Sequence, residues 1–457
     1  MKLFAERALL HSGWARNALL DIADDGRIAS IVTDTERGEA EAVAGPLIPG
    51  MSNLHSHAFQ RAFAGYSERK GPGEDSFWTW RQVMYDFVGR ISPEQVEIIA
   101  HQLYIEMLKA GYTAVGEFHY LHHDVDGGAY GNFTELSDRV IAAAESAGIA
   151  ITHLPVLYAH SGFGGQPPSA GQRRFINRGD EYAVLLQDLF SKHGHKPNVR
   201  IGCAPHSLRA VTPDALRDAL SALDSLDALA PVHIHIAEQT KEVEDCLAWS
   251  GKRPVEWLLD NIEVDARWCL VHATHLSDSE RTRLAATKAV AGLCLTTEAN
   301  LGDGLFPAKA YFAEGGRFGV GSDSHVSVSP VEELRLLEYG QRLIHRSRAV
   351  LASAEQPSVG RTLWQGASSG GGQALGLDSG IIVPGFRADF VVLDERVPAL
   401  FGKDEDYLLD AAIFAGNHNP VRDVMVGGRW VVRDGRHADE DAVARRFAEV
   451  QRQVRAG

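Results

Sequence analysis

The stretch "NLHSHAFQR" at residues 53–61 carries two histidines two positions apart, directly after an apolar run. Side chains two apart in a strand point to the same side, so His55 and His57 face one way if "GPLIPGMSNLH" is a strand. Neutral imidazole is the commonest metal-binding side chain, and two converging imidazoles supply half of a tetrahedral site. Taken alone, the pair is as consistent with hydrogen-bonded or surface histidines.

Metal-binding side chains recur at the ends of other apolar runs. His235 lies in "HIHIAE", His272 in "VHATH" and Asp323 in "GSDSH". Buried polar groups need partners, and one bound cation would satisfy these groups together. Histidine nitrogens with one carboxylate suit zinc first, with iron or manganese as alternatives. The sequence therefore predicts one divalent metal, although parity alone does not separate His233 from His235.

Alternating strand-like and helix-like runs would position these residues. The strand-like runs are "GPLIPGMSNLH", "YTAVGEFHY", "GIAITHLPVLY", "NVRIGCAPH", "PVHIHIAE", "RWCLVHA", "VAGLCLTT" and "RFGVGSDSH". Helix starts lie between them: Ser92 with Gln95, Thr212 before a proline, and Ser277 with Glu280. Eight strands, most followed by a helix, predict a (β/α)8 TIM-like barrel, in which residues at the carboxyl ends of strands meet. The alternative, a doubly wound open sheet, lacks a glycine-rich phosphate loop here.

The two ends of the chain differ from its middle. Residues 1–46 and 380–434 carry short apolar runs separated by turn residues, which is typical of β-hairpins. We therefore expect an α/β protein with a barrel domain over 49–379 and a small β-sandwich domain built from 1–48 and 380–457. The connection at 160–179 is long, as functional lids and insertions often are.

Composition excludes several classes of partner. The 457 residues include 45 Lys and Arg against 60 Asp and Glu, a net charge of −15, which argues against nucleic acid and anionic membranes. No run approaches the roughly 20 apolar residues of a membrane span, and the first residues show no secretory hydrophobic region. The four cysteines form no CxxC pair, which favours buried reduced thiols in a cytoplasmic protein.

The histidine and aspartate pattern resembles the amidohydrolase superfamily, and "VPGFRADFVVLD" resembles its return into a β-sandwich. That resemblance implies a ligand set of His55, His57, His235 and Asp323. It also implies a single metal, because strand four ends "CAPHSLR", without a lysine to bridge two ions. "HIHIAEQ" resembles the deaminase branch, whose ligand is the second histidine and whose proton-shuttling glutamate matches Glu238. The alternative for Glu238 is a solvated loop carboxylate.

Five further stretches resemble the formimidoylglutamate deiminase family: "HSHAFQRAFAG", "FWTWRQ", "EFHYLHH", "APHSLRA" and "TTEANLGDG". That family hydrolyses N-formimidoyl-L-glutamate to N-formyl-L-glutamate and ammonia in histidine degradation. The resemblance implies a homodimer and implies substrate contacts by Gln60, Arg81, Tyr120, His206 and Arg209. Two arginines suit a small dicarboxylate, since a guanidinium binds a carboxylate with two parallel hydrogen bonds. Arg61 is a rival to Gln60, and Arg173 and Arg174, in the long connection, are rivals for the second anchor.

The expected chemistry is hydrolysis of the C–N bond of a linear amidine. A bound metal would lower the pKa of its water, with Asp323 as ligand and proton acceptor. His272 would hydrogen-bond the attacking oxygen, unless it is itself a ligand, and Glu238 would protonate the leaving nitrogen.

Other readings stay open. Deamination of a purine or pterin, or imidazolonepropionase-like ring hydrolysis, would use stacking aromatic residues such as Trp78 and Trp80. A different class is a non-catalytic barrel with a structural metal. Three further histidines are either hydrogen-bonded loop residues or ligands of a second metal: His119, His122 and His123.

Overall fold

The computed structural model of the chain describes residues 1–69 and 77–456. The N-terminal segment forms five strands: β1 (Lys2–Leu10), β2 (Gly13–Ile22), β3 (Ile28–Val32), β4 (Glu41–Ala42) and β5 (Leu47–Pro49). β1 and β2 make a hairpin of eight paired positions. The hairpins predicted from alternating apolar runs are present at this end of the chain.

The middle of the chain forms a parallel barrel. Its strands are β6 (Met51–Ser56), β7 (Tyr112–His119), β8 (Ala150–Leu157), β9 (Val199–Ile201), β10 (Ala204–Pro205), β11 (Val232–Ile236), β12 (Trp268–His272), β13 (Val290–Leu293) and β14 (Arg317–Val320). They run in the order β10-β8-β7-β6-β14-β13-β12-β11, and β9 also pairs with β8. Parallel bridges from Cys203 to Val232 and from Ser207 to His235 join the two ends of this order. With β9 and β10 as one interrupted strand, the sheet closes on itself, which confirms the predicted (β/α)8 barrel.

Fourteen α-helices occur in the described part of the chain, and most of them surround the barrel. They are α1 (Phe77–Val88), α2 (Pro93–Ala110), α3 (Glu135–Ala147), α4 (Gly179–His193), α5 (Pro213–Leu226), α6 (Thr240–Ser250), α7 (Pro254–Asn261), α8 (Asp278–Thr287), α9 (Leu295–Leu301), α10 (Ala308–Ala313), α11 (Pro330–His345), α12 (Val359–Ala374), α13 (Asp406–Phe414) and α14 (Glu440–Ala456).

The helices begin at the residues that the capping signals in the sequence predict. Ser92 and Ser277 form the expected capping boxes, and the Thr212 hydroxyl accepts from the backbone N–H three residues on. α2 ends at Gly111, whose φ of 99° is the left-handed conformation that glycine adopts without strain.

The C-terminal strands complete a second sheet with those of the N-terminus. These are β15 (Phe390–Leu393), β16 (Val421–Val426), β17 (Arg429–Arg433) and β18 (Arg436–His437). The sheet runs β18-β17-β16-β15-β5-β1-β2-β3, with β4 beside β1, and encloses its own apolar core. This is the β-domain from both chain ends that the sequence predicts.

The segment beyond residue 380 contains helices as well as the predicted β-hairpins. It contains α13, which contacts α11 and α12, and α14, which contacts α2. Both helices thus pack on the barrel layer, and the predicted boundaries at 48 and 380 stay a prediction. Among the described residues, no helix combines the length and low polarity needed to cross a membrane.

The helix α12 lies close to two strands of the barrel. α12 contacts β6 and β14, the strands that precede the H-x-H motif and Asp323. A side chain at Gly370 would collide with the Phe318 carbonyl, and one at Gly371 with Ser52. The glycine run in "GASSGGGQA" therefore permits a helix-to-strand approach that supports the site from below.

Candidate active site

The predicted metal-binding side chains meet at one end of the barrel. His55 and His57 end β6 or follow it, His235 lies on β11, and Asp323 follows β14. His55 Nε2 lies 3.2 Å from His57 Nε2 and 3.0 Å from His235 Nε2. Asp323 Oδ1 lies 3.5 Å from His55 Nε2 and 3.3 Å from His57 Nε2. Ligand atoms around a tetrahedral cation at about 2.0–2.2 Å lie roughly 3.3–3.6 Å apart, so this spacing fits one ion.

The hydrogen bonds of two of these rings decide which nitrogen faces the cluster. His57 Nδ1 lies 2.8 Å from the Phe118 carbonyl, and His235 Nδ1 lies 3.1 Å from the His206 carbonyl. A carbonyl only accepts, so each Nδ1 carries the hydrogen and each Nε2 presents a lone pair. Burial lowers the pKa of His55 to about 3 and also lowers those of His57 and His235, so all three rings are neutral. Lone pairs and a carboxylate converging in a buried place fit a divalent cation.

The backbone at the carboxyl ends of three strands adopts a conformation rare for these residue types. Ala237, His272, Ala273, Asp323 and His325 have φ angles of 51°, 68°, 49°, 48° and 61°. For residues with a Cβ, this left-handed region costs roughly 1–2 kcal/mol each. These residues end β12 or follow β11, β12 and β14 by at most five positions. At Ala237 the turn follows His235 and precedes Glu238, and both side chains reach the same pocket.

Glu238 and His272 lie beside the cluster and face each other. His272 Nε2 is 3.8 Å from Glu238 Oε1 and 3.8 Å from Asp323 Oδ2. Burial lowers the pKa of His272, but Glu238, Glu298 and Asp323 outweigh it and raise that pKa to about 10. Burial raises the pKa of the Glu238 carboxyl above its usual range. These groups can donate and carry protons next to the cluster.

Asp323 behaves differently from Glu238. Burial raises its pKa, but the histidines around it, His55 first, more than reverse this and hold the pKa well below its usual range. Asp323 is therefore an anion, which is the form in which a carboxyl group binds a metal.

The five predicted substrate contacts all line one pocket with the cluster. These are Gln60, Arg81, Tyr120, His206 and Arg209. The Gln60 amide donates to the Tyr120 hydroxyl at 2.7 Å. The Arg81 guanidinium lies 5.5 Å from the centre of the Tyr85 ring. Arg209 is buried, and a guanidinium nitrogen lies 3.8 Å from Glu238 and 4.0 Å from Glu242. The pocket thus places two cations and two proton carriers around one cluster.

The rival arginines have other partners. Arg61 pairs with Glu106 at 2.8 Å. Arg173 is exposed and donates to the Val125 carbonyl. Arg174 is buried and donates to the carbonyls of Val88, Ile91 and His123. None of the three lines the pocket as the structure describes it.

The three unassigned histidines make hydrogen bonds or ring contacts within the described part of the protein. His122 Nε2 donates to the Val156 carbonyl at 3.0 Å, and His123 Nε2 to the Ile176 carbonyl at 2.7 Å. His119 packs its ring 5.2 Å from that of His153. The groupings able to hold a metal among the described residues include none of the four. Of the two tryptophans considered for stacking, Trp80 lines the pocket, and the side chain of Trp78 is outside the described residues.

Several pocket residues went unpredicted. They are Met84, Tyr85, Tyr158, Phe175, Thr297 and Leu301. Phe175 comes from the long 160–179 connection, so that segment contributes to the pocket wall. Thr297 and Leu301 belong to the stretch "TTEANLGDG" that resembles the family, although neither was assigned a contact. The other four are aromatic or aliphatic residues of types that are common in any core.

Glu117 is a further residue that sequence reasoning missed. It lies on β7 and is fully buried. Its carboxylate accepts from the Ser56 hydroxyl at 2.6 Å, the Ala58 N–H at 2.7 Å and the Tyr104 hydroxyl at 3.1 Å. Burial raises its pKa to about 7. Glu117 therefore holds both residues that flank His57, from outside the barrel wall.

Comparison with known proteins places this geometry in a family. The model of the amidohydrolase family matches residues 47–431, and that of the N-terminal domain of formimidoylglutamate deiminase HutF matches residues 2–42. Formimidoylglutamate deiminase of Pseudomonas aeruginosa is 58% identical over 451 residues, covering 98% of each chain. The chain belongs to the formimidoylglutamate deiminase family of amidohydrolases. It is thus a hydrolase, and the family resemblance seen in its motifs is confirmed.

Solved structures agree with the fold. An amidohydrolase from Brucella melitensis is 51% identical, covers 99% of both chains and superposes with a TM-score of 0.93. An adenosine deaminase from Xanthomonas campestris with bound zinc is 21% identical, with a TM-score of 0.83 over 100% of this chain and 98% of its own. At that identity the second match supports the barrel architecture alone.

Proposed function

We propose that this enzyme hydrolyses N-formimidoyl-L-glutamate to N-formyl-L-glutamate and ammonia, as a step in histidine degradation. The observation that carries the proposal is the pairing of two arginines, Arg81 and Arg209, with Glu238 and the histidine cluster in one pocket. The substrate has one amidine and two carboxylates, and the pocket offers a complement to each. The relative from Pseudomonas aeruginosa carries the same activity in its name.

We propose His55, His57, His235 and Asp323 as ligands of one divalent metal, zinc first. The support is the 3.0–3.5 Å spacing of their facing atoms and the two Nδ1 hydrogen bonds that turn lone pairs inward. When bound, the metal supplies a Lewis acid that gives a water-derived nucleophile near neutral pH.

In this proposal, side chains of the protein accept and donate the protons. Asp323 Oδ2, the carboxylate oxygen nearer His272, accepts a proton from the attacking water. His272 Nε2, 3.8 Å from Asp323 Oδ2, donates a hydrogen bond to the attacking oxygen. A C–O bond forms at the formimidoyl carbon and its C=N bond becomes single. Glu238 passes two protons to the terminal nitrogen, first its own and then the one that it receives from the hydroxyl of the tetrahedral centre. That hydroxyl becomes the formyl C=O as the C–N bond breaks and ammonia leaves, and the proton held by Asp323 returns to Glu238.

In this proposal, the polar side chains of the pocket bind the substrate. Arg81 and Arg209 bind the two carboxylates, and Gln60, Tyr120 and His206 hydrogen-bond the chain between them and the amidine. Burial lowers the pKa of Arg209, but Glu242 and Glu238 more than offset this, so Arg209 stays cationic. A buried arginine gives charge-assisted hydrogen bonds worth roughly 1.5–3 kcal/mol each.

Paired substrates test this anchoring. N-formimidoyl-L-alanine keeps the amidine and one carboxylate but lacks the second. We expect its kcat/KM to fall by roughly 10–100-fold relative to N-formimidoyl-L-glutamate, the loss of one charged contact. Equal kcat/KM values for the two amidines would show that the enzyme does not recognise the second carboxylate.

The aromatic residues of the pocket favour a second candidate, deamination of a heterocycle such as a purine or pterin. Trp80, Tyr85, Tyr158 and Phe175 could stack on a flat ring. A panel of guanine, adenine and pterin, run beside the linear amidine, discriminates the two. A structural metal without catalysis predicts no turnover of any of them.

The proposal also covers the cellular location and the oligomeric state of the enzyme. A cytoplasmic location is supported by four cysteines that are all buried and free. A homodimer is proposed from the family resemblance, and light scattering coupled to size-exclusion chromatography measures it directly.

A further inference from the structure

A second group of metal-binding atoms adjoins the proposed metal site and shares Asp323 with it. A ring nitrogen of His272, the thiol of Cys294 and a carboxylate oxygen of Asp323 all lie within 4.8 Å of one another. All three side chains are buried. Cys294 follows β13 and is the N-cap residue of α9, so this group draws on three neighbouring strand ends. The proposed mechanism assigns Cys294 no role.

The surroundings of Cys294 favour a cation. The Cys294 N–H donates to Glu298 Oε1 at 2.9 Å, and His272 Nδ1 lies 3.2 Å from the same oxygen. The other oxygen, Glu298 Oε2, is buried with no hydrogen-bond partner among the described residues. A buried carboxylate oxygen without a partner is costly, and a nearby cation would remove that cost.

We propose that His272, Cys294 and Asp323 form a second, inhibitory site for a thiophilic divalent cation, with Glu298 Oε2 as a candidate fourth ligand. The inference rests on the proposed function in one respect, that Asp323 also holds the catalytic metal. Asp323 offers Oδ1 to His55 and His57 and has Oδ2 on the side of His272, so its two oxygens can serve two ions. Binding releases two protons to solvent, the thiol proton of Cys294 and the proton on the ring nitrogen of His272 that takes the ion.

Ligand type sets the selectivity of this site. Thiolate sulfur favours soft ions, whereas the proposed catalytic site has only nitrogen and oxygen donors. Cd²⁺ should therefore bind the second site more tightly than Zn²⁺, with Mn²⁺ weakest. The spacing of up to 4.8 Å exceeds that in a closed tetrahedral site, so the three side chains must draw together on binding.

Occupancy of the site would stop turnover by removing groups the reaction needs. A cation there takes the His272 nitrogen away from the attacking oxygen and ties up Asp323 Oδ2, the proposed proton acceptor. Inhibition should therefore leave substrate affinity less affected than kcat.

The test uses the full-length enzyme carrying one equivalent of Zn²⁺, titrated with CdCl₂. Two readouts run together: ammonia release from N-formimidoyl-L-glutamate, and the ultraviolet charge-transfer band of a cadmium thiolate. The variants are Cys294→Ala and, if that variant does not fold, Cys294→Ser. Cys269→Ala is the matched control, since Cys269 is equally buried on the adjacent β12 and outside the groupings of metal-binding atoms.

The proposal predicts a cadmium thiolate band that rises with inhibition in the wild-type enzyme and in Cys269→Ala. In Cys294→Ala the band should be absent and the inhibition constant for Cd²⁺ should rise by at least about 10-fold, the loss that even an outer-shell group can cause. Activities are expressed relative to each variant before cadmium.

Three results would overturn the proposal. They are no thiolate band in the wild type, a band that persists in Cys294→Ala, and a band without loss of activity. The band needs no turnover, so an enzyme inactive on N-formimidoyl-L-glutamate would contradict the proposed function and still report on the cadmium site.

Discussion

Replacing Glu117 by glutamine should weaken metal binding although Glu117 is no ligand. Its carboxylate accepts from Ser56, between the two H-x-H ligands, and from the Ala58 N–H directly after them. Glutamine keeps the shape, but one end becomes an N–H₂ donor facing groups that donate. The charge-assisted contacts are lost, and the segment that carries His55 and His57 loosens.

The magnitude follows from the place of Glu117 behind the ligands. Hydrogen bonds to a charged group contribute roughly 1.5–3 kcal/mol, and glutamine retains part of that. Loss of a partner behind a metal ligand typically lowers metal affinity about 10–100-fold. We therefore expect a dissociation constant for Zn²⁺ raised by that factor, which corresponds to about 1.4–2.7 kcal/mol.

The assay is competition between the metal-free enzyme and a chelator for Zn²⁺ at pH 8, where Glu117, with a pKa of about 7, is ionised. Glu338→Gln is the matched control. Glu338 is also fully buried and accepts from two backbone N–H groups, those of Val350 and Leu351, away from the site. Its substitution should lower stability and leave zinc affinity unchanged. An unchanged zinc affinity in a folded Glu117→Gln enzyme, or an equal loss in both variants, would refute the reasoning.

Two further substitutions test the anchoring of the substrate and the helix layer. Arg209→Met should lower kcat/KM for N-formimidoyl-L-glutamate by roughly 10–100-fold, since a charged contact is lost. Arg173→Met, a control outside the pocket, should leave kcat/KM unchanged. Similar losses in both variants would contradict the assignment of Arg209. Burial raises the pKa of Asp138, but hydrogen bonds, that of His193 first, hold it well below its usual range. Asp138→Asn should therefore lower the free energy of unfolding by roughly 1–2 kcal/mol at pH 7. The difference should shrink as pH falls below about 4, where Asp138 becomes protonated in the unfolded chain. Urea unfolding across pH 3–7 measures this, and a difference constant down to pH 3 would contradict it.

The sequence predicts the barrel and its helix starts because both depend on neighbouring residues. A capping box such as that of Ser92 and Gln95 is complete within four positions, and each strand is a short apolar run. The same logic brings His55, His57, His235 and Asp323 together, since carboxyl ends of parallel strands share one end of a barrel.

Sequence alone could not separate His233 from His235, because both face into the barrel. The structure separates them by depth. His233 Nε2 donates to the Ala374 carbonyl at 2.7 Å, at the end of α12, whereas His235 reaches the cluster. The two-residue alternation of a strand predicts which way a side chain points, but not how far along the barrel axis it lies.

The groups behind the site were unpredictable for a different reason. Glu117 points outward from β7, where strand alternation predicts a contact with a helix, and its link to the H-x-H segment runs through Ser56 and Ala58. Cys294 lies in an apolar run like those of Cys203 and Cys269. The left-handed backbone at Asp323 and His272 has no local sequence cause such as glycine. These features follow from packing between distant segments.

The most direct test of the account is ammonia release from N-formimidoyl-L-glutamate by the zinc-loaded enzyme, with the product identified by mass and Glu238→Gln measured beside it. We predict rapid release with N-formyl-L-glutamate as product. In the variant, metal content should be retained and kcat should fall by about 100-fold or more, since a general acid contributes roughly 10²–10⁴-fold. A folded, zinc-loaded enzyme that releases no ammonia would contradict the proposed substrate, and full activity of Glu238→Gln would contradict its role as the proton carrier.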